Sequence, residues 1–319
     1  MYKQFFGLRE NPFNMTPDPR FMYLAEHTKE AFACLSYGIR MRQGFILLIG
    51  EVGTGKTTLV NKLLSSLREQ RVATAFVFNP RMNAHDLIDF IVADFGIRCE
   101  ANSKSLKLLR LNEWLLQQYR AGSSAVLVID EAQDLTADVL EEIRLLTNLE
   151  TTTEKLLQIV LSGQPELGDM LARPELRQLR QRIALRAKTV PFSAVQTGEY
   201  ISERLRIAGV AEAMFTPDAI AAVHKYSGGI PRLINLVCEH SLIEAFAEQQ
   251  REVGPSTIES VAKTFELEEF QLRPPQFTTI APRANGGADK ETGSMVDALI
   301  AVVRRLASEQ PRSPVTREK

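Results

Sequence analysis

The stretch that decides the fold is Phe45-Ile46-Leu47-Leu48-Ile49-Gly50-Glu51-Val52-Gly53-Thr54-Gly55-Lys56-Thr57-Thr58. It opens with an unbroken apolar run, the pattern of a strand buried on both faces of a parallel sheet. Gly50 to Thr57 then matches the G-x-x-x-x-G-K-[ST] phosphate loop in full. The glycines let the backbone turn and aim its N–H groups inward, and the helix start behind them favours negative charge. Lys56 has the reach for β- and γ-phosphates, and the Thr57 hydroxyl can ligate Mg²⁺. Glu51, Val52, Gly53, Thr54, Gly55 and Thr58 complete the nucleotide-binding set. A glycine-rich turn beside an ordinary surface lysine is the competing reading. The flanking pattern argues against it, because Leu59, Leu63 and Leu67 stack at four-residue spacing in a helix over 57–67.

Further apolar runs at 72–78, 125–129 and 156–161, and a shorter one near 187–192, alternate with helical patterns at 85–95, 106–119 and 139–149. Mostly apolar strands separated by helices predict an α/β fold with a parallel sheet covered on both faces. After Pro191 the pattern is helical alone, at 197–208, from Thr216 to Gly228-Gly229, from Pro231 to about 249, and from Ser256 to about 270. Thr216 is the expected N-cap, with Pro217 in the first turn. Before the first strand, an arm rich in Phe and Pro precedes a helix over 27–41, and the arm is expected to extend over the first domain. The divisions predicted are an arm and helix at 1–42, a nucleotide-binding core at 43–193, a helical lid at 194–270, and a linker with a short amphipathic helix at 271–319.

Val126-Leu127-Val128-Ile129-Asp130-Glu131-Ala132-Gln133 sets two carboxylates at the C-terminal end of a strand, the edge where parallel sheets bind ligands. Asp130 is the candidate metal carboxylate. Glu131 is the candidate general base that orients and activates the attacking water. At the end of the next strand stand Ser162 and Gln164, either of which could sense the γ-phosphate; Gln164 has the longer reach and two hydrogen-bonding ends. Arg173, Arg177, Arg180, Arg182 and Arg186 form a basic run that reads as a solvated face or as a set of phosphate contacts. Arg232 falls in the first turn of a helix, where the dipole disfavours a cation, and a bound phosphate would resolve that conflict.

The 319 residues carry a formal net charge of -1, which argues against a strongly basic nucleic-acid binder. Cys34, Cys99 and Cys238 are too far apart for a metal motif and odd in number, consistent with a reducing cytoplasm. His27, His85, His224 and His240 show no ligand spacing, and no apolar run approaches membrane-helix length.

In this order the motifs resemble those of AAA+ ATPases. The resemblance implies a core sheet of order 5-1-4-3-2, a helical lid whose sensor arginine is Arg232, and homo-oligomers that share nucleotide. It also implies an arginine offered to the neighbouring subunit, first Arg182, then Arg180, with Arg177 a further candidate. Phe6-Gly7-Leu8-Arg9-Glu10-Asn11-Pro12-Phe13, Pro17-Asp18-Pro19-Arg20-Phe21 and Ser162-Gly163-Gln164-Pro165-Glu166-Leu167 are similar to the ExeA/GspA group, associated with type II secretion and related pilus or exopolysaccharide systems. That likeness implies Mg-dependent ATP hydrolysis at a cytoplasmic site, peripheral to the inner membrane through a partner. The membrane helix and peptidoglycan-binding domain of secretion members are not seen in this sequence, which puts cell-wall remodelling and membrane anchoring in cis in question. A transposition-helper-like ATPase associated with DNA and a non-hydrolysing scaffold are the alternatives.

Overall fold

The computed structural model describes residues 2–269, except 79, 100–102 and 211. The expected linker and amphipathic helix at 271–319 lie outside the described residues. Five strands, β1 Phe45–Gly50, β2 Ala73–Val77, β3 Ala125–Ile129, β4 Leu157–Gly163 and β5 Ile183–Thr189, form one parallel sheet in the order β2-β3-β4-β1-β5. Read from the other edge, this is the expected 5-1-4-3-2.

Side chains alternate across the sheet as strand geometry requires. Phe45, Leu47, Leu127, Ile129, Ile159 and Leu161 pack under α4 (Ala84–Asp94), α5 (Lys104–Arg120), α6 (Ala137–Leu146), α7 (Pro165–Ala172) and α8 (Arg177–Arg182). Ile46, Leu48, Val126, Val128 and Val160 face α2 (Glu26–Arg40) and α3 (Lys56–Glu69). With both faces covered, every residue of β3 and β4 is buried.

The fifth strand departs from expectation. It was expected as a short strand near 187–192; it runs over Ile183–Thr189, so Arg186 lies inside it rather than before it. As an edge strand it is covered only in part: Ala184, Arg186 and Lys188 are exposed, and the charges of Arg186 and Lys188 break the apolar run by which the other strands are read. The fourth strand runs on to Gly163, which puts Ser162 within the sheet near the strand's end.

The C-terminal helices are α9 (Ala194–Ile207), α10 (Pro217–Ser227), α11 (Pro231–Ala247) and α12 (Pro255–Thr264). The Ser193–Gln196 capping box starts α9 three residues earlier than its apolar pattern suggests. The Thr216 hydroxyl accepts from Ala219 N at the head of α10, and Gly228 ends it in the left-handed conformation.

The arm also differs from its expectation. It starts with a short helix, α1 (Tyr2–Phe6), and packs mainly on the C-terminal helices, not on the sheet. Phe6, Leu8 and Phe13 share a buried cluster with Tyr200, Leu205, Phe215, Ile234 and Leu242. Arg9 N donates to Ala208 O at 2.8 Å, and Tyr2 Oη and Asn11 Nδ2 donate to Glu239 Oε1. Four helices without a sheet leave apolar faces open, and the arm's aromatic residues cover them.

Candidate functional site

The phosphate loop joins β1 to α3, with Gly55 in the left-handed conformation (φ 93°) at the helix start. Thr54 Oγ1 lies 2.7 Å from both Glu51 O and Thr189 Oγ1, which ties the loop to the end of β5. Lys56 is buried and donates from Nζ to Gly50 O at 2.8 Å and Glu51 O at 3.1 Å. Burial pushes its ammonium below the ordinary lysine range, while Glu131, Asp130, Glu51 and Glu166 pull the other way.

Asp130 follows β3 and is almost fully buried. Its Oδ2 accepts from Thr57 Oγ1 at 2.8 Å, and its Oδ1 accepts from Ser162 Oγ at 2.7 Å and from the Glu131 N–H at 3.1 Å. These bonds fix the carboxylate against the loop threonine. Glu131 is left-handed at φ 53° and ψ 38°, a conformation that costs a Cβ-bearing residue roughly 1–3 kcal/mol. The two carboxylates take different side-chain partners. Glu131 lines the same cavity as Lys56, and Gln164 Nε2 donates to its Oε2 at 3.3 Å. Ser162 and Gln164, alternatives in the sequence, therefore serve different carboxylates: Ser162 holds Asp130 and Gln164 touches Glu131.

The cavity has a volume of about 330 Å³, within the range of small-molecule sites. Val52 to Thr58 form one wall, and Arg232 and Asn235 of α11 approach from the helical segment. Arg232 N donates to Gly53 O at 3.2 Å. A Cβ at Gly53 would lie 2.9 Å from Arg232 Cβ and from Ile230 Cγ2, so glycine there permits the loop to touch the helix start. The Arg232 guanidinium is exposed and forms no ion pair among the described residues. Nucleotide phosphates fit beside Lys56 and Arg232, which are cationic groups in one cavity.

Mg²⁺ also fits. Thr57 and Asp130 supply hard oxygen donors in contact with one another. No group of three or more His, Cys, Asp or Glu that could hold a metal occurs among the described residues. Mg²⁺ ordinarily takes one or two carboxylates and fills its remaining positions with phosphate and water.

Arg182 lies outside this cavity. Its Nη1 donates to Arg144 O at 3.1 Å, to Asn148 Oδ1 at 2.8 Å and to Thr147 Oγ1, at the C-terminal end of α6. That is a favourable place for a cation. Arg180 reaches Ala172 O at 3.5 Å, and Arg177 is exposed.

Several lining residues were not identified from sequence. The opposite wall is the arm, from Asn14 to Tyr23, with Tyr200 and Arg204 of α9. Arg204 is only 6% exposed. It donates from Nε to Pro12 O and from Nη1 to Tyr200 Oη at 2.6 Å. Its guanidinium lies 4.8 Å from the Phe21 ring centroid and 5.3 Å from that of Tyr200. Tyr200 Oη in turn donates to Asn235 Oδ1 at 2.9 Å. Burial pushes the Tyr200 phenol above its ordinary value, opposed by Arg204 and Asn235. The available signal was an arginine on the apolar stripe of Tyr200, Ile201, Leu205 and Ala208. Thr189 left no comparable trace.

Residues 39–171 match the AAA domain family. The chain is 46% identical over 255 residues to general secretion pathway protein A of Aeromonas hydrophila; the match takes in 79% of this chain and 46% of that protein. The chain thus spans just under half the length of this curated relative. In fold it is similar to the Aeropyrum pernix ORC2 protein, solved as ADPNP-ADP complexes, with a TM-score of 0.61 at 16% identity over 82% of this chain and 73% of that one. Cdc6p from Pyrobaculum aerophilum gives 0.60 at 17% identity over 81% and 71%. Identity at that level speaks for the fold alone. The chain thus carries an AAA domain at residues 39–171 on a sheet of this order, and over 255 residues it is similar to general secretion pathway protein A.

Proposed function

We propose that the chain hydrolyses ATP with Mg²⁺ and passes the resulting change in its helical segment to a secretion or surface-polysaccharide assembly. The observation that carries the hydrolytic reading is the division of labour between adjacent carboxylates. Asp130 is locked to Thr57, whereas Glu131 is turned into the cavity that Lys56 and Arg232 share. Mg²⁺, when bound, would neutralise charge on the phosphates and their leaving oxygen. Asp130 and Thr57 would hold it. Glu131 would orient the attacking water and take its proton, Lys56 would bind the β- and γ-phosphates, and Gln164 would contact the terminal phosphate or the water. Arg232 follows the helical segment while its N–H touches the loop at Gly53, so phosphate contact and helix position are linked.

The chain would act as a homo-oligomer, with an arginine of the 177–182 segment completing the neighbour's site. It would work in the cytoplasm beside the inner membrane through a partner; among the described residues no helix is long and apolar enough to cross a membrane. These readings rest on the relative's name, general secretion pathway protein A, and on the family resemblance.

Glu131→Gln should leave ATP affinity intact and slow turnover by about 10²–10⁴. Unchanged turnover would remove Glu131 from its role. Turnover measured with and without duplex DNA across a salt series separates the secretion reading from the transposition-helper one. Strong stimulation by DNA that fades as salt rises would favour the latter.

A further inference from the structure

Gln133 has no part in the chemistry above, yet it holds the proposed base. It lies in the 3₁₀ turn Ala132–Asp134, just after the carboxylate pair. Its Nε2 donates to Glu131 Oε2 at 2.7 Å, and its Oε1 accepts from the backbone N–H of Gln164 at 3.1 Å. A backbone N–H can only donate, which fixes the amide oxygen on that side and turns Nε2 to the carboxylate. Gln164 Nε2 reaches the same Oε2 at 3.3 Å, closing a ring of three side chains. The end of β4 is shaped around this ring, since a Cβ at Gly163 would come within 2.9 Å of Gln133 Oε1.

Two features separate Gln133 from the residues that would touch nucleotide. Among the described residues, both amide bonds to the Glu131 side chain fall on Oε2 and none on Oε1. Gln133 is also absent from the wall of the nucleotide cavity; it lines a separate groove with Arg81, Asn83 and Asp134. It therefore acts on the chemistry at second hand, through its side-chain bond to Glu131 and its bond to the Gln164 backbone. A glutamate side chain left to itself samples several rotamers, and each placement off the productive one removes it from the water it must orient.

We propose that Gln133 is a positioning residue: its amide clamps Glu131 Oε2, so that Oε1 is presented to the attacking water. This rests on the reading of Glu131 as the base. The test uses the full chain and the variants Gln133→Ala, Gln133→Glu and Glu131→Gln. Gln133→Ala should slow turnover by about 10–100-fold while the dissociation constant for a fluorescent ATP analogue changes less than about twofold. Gln133→Glu keeps the volume and the acceptor for Gln164 N–H but replaces the donor with a second negative charge. It should be slower than Gln133→Ala, whereas a packing role would make it the milder of the two. In a Glu131→Gln background, Gln133→Ala should have little further effect on turnover. In nucleotide-free protein, the losses in thermal midpoint for Glu131→Ala and Gln133→Ala should sum to more than the loss in the double variant.

Three results would overturn the proposal. They are additive effects on turnover, a Gln133→Glu variant as active as Gln133→Ala, or faster turnover in Gln133→Ala, which would make the amide a restraint on the base. If Glu131→Gln itself leaves turnover unchanged, the base reading fails and takes this one with it. If Glu131→Gln is slow but both Gln133 variants turn over normally, only the positioning role fails.

Discussion

Gly229→Ala should separate the helical segment from the nucleotide site, and a second glycine serves as its internal control. Gly229 and Gly122 have nearly the same positive φ, 74° and 73°. Gly122 follows α5, and a Cβ there meets nothing within 4 Å. Gly122→Ala should therefore cost only the left-handed strain, about 1–2 kcal/mol. At Gly229 the added Cβ would lie 1.9 Å from Phe192 O, where real contacts essentially never fall below 3.0 Å. The two strands of chain must part by about 1 Å, the difference between those distances. Phe192 cannot yield cheaply: its N–H donates to Gly229 O at 2.8 Å, and its buried ring packs on Tyr23 and Tyr200. Overpacking and the strained or lost hydrogen bond add to the backbone term, for about 3–6 kcal/mol in all. Urea denaturation followed by far-UV circular dichroism measures both variants. Arg232 and Asn235 sit just beyond Gly229 on α11, so affinity for a fluorescent ATP analogue should fall at least about tenfold in Gly229→Ala and stay unchanged in Gly122→Ala. Equal destabilisation by the two variants, or unaltered affinity in Gly229→Ala, would refute the steric coupling.

Arg204→Ala should cost about 3 kcal/mol through its charge-assisted hydrogen bonds and its stacking on Phe21 and Tyr200; limited proteolysis should then cut the arm between residues 10 and 22, and an arm as resistant as the wild type's would refute its anchoring role. His27 and His224 are both pushed below the ordinary histidine range by burial. The unfolded chain therefore binds more protons than the folded one below about pH 6.5, so stability present at pH 7.5 should decline towards pH 5. The double variant His27→Gln/His224→Gln should show a shallower decline in urea midpoint, and an equally steep one would exclude these histidines as the source. Arg177→Ala, Arg180→Ala or Arg182→Ala subunits mixed with wild type should depress turnover below the wild-type fraction for whichever arginine acts in trans; proportional decline for all three would end that idea. Arg182→Ala should also lower the thermal midpoint, since the side chain holds the end of α6.

The phosphate loop, the Asp130-Glu131 pair and the strand sequence were legible because each is local. A parallel strand covered on both faces must be apolar throughout, and a loop that cradles phosphate must place glycines at fixed offsets. The edge strand was blurred because solvent reaches it and admits Arg186 and Lys188. Arg204 is not legible in the sequence because a charge on one helix usually marks a solvated face. Here Phe21 and Pro12 from the far end of the chain enclose it.

What the sequence determined by itself was the covalent order of the parts: a loop for phosphates, two carboxylates after a buried strand, and an arginine at a helix start. Which groups hold one another was decided by tertiary structure. Thr54 meets Thr189, Asp130 meets Ser162, and Gln133 and Gln164 converge on Glu131. The physical reason is that a parallel sheet brings together the C-terminal ends of strands separated by whole helices. Contacts along that edge depend on strand order and register, and on a folded-back arm, neither of which has a period in the sequence.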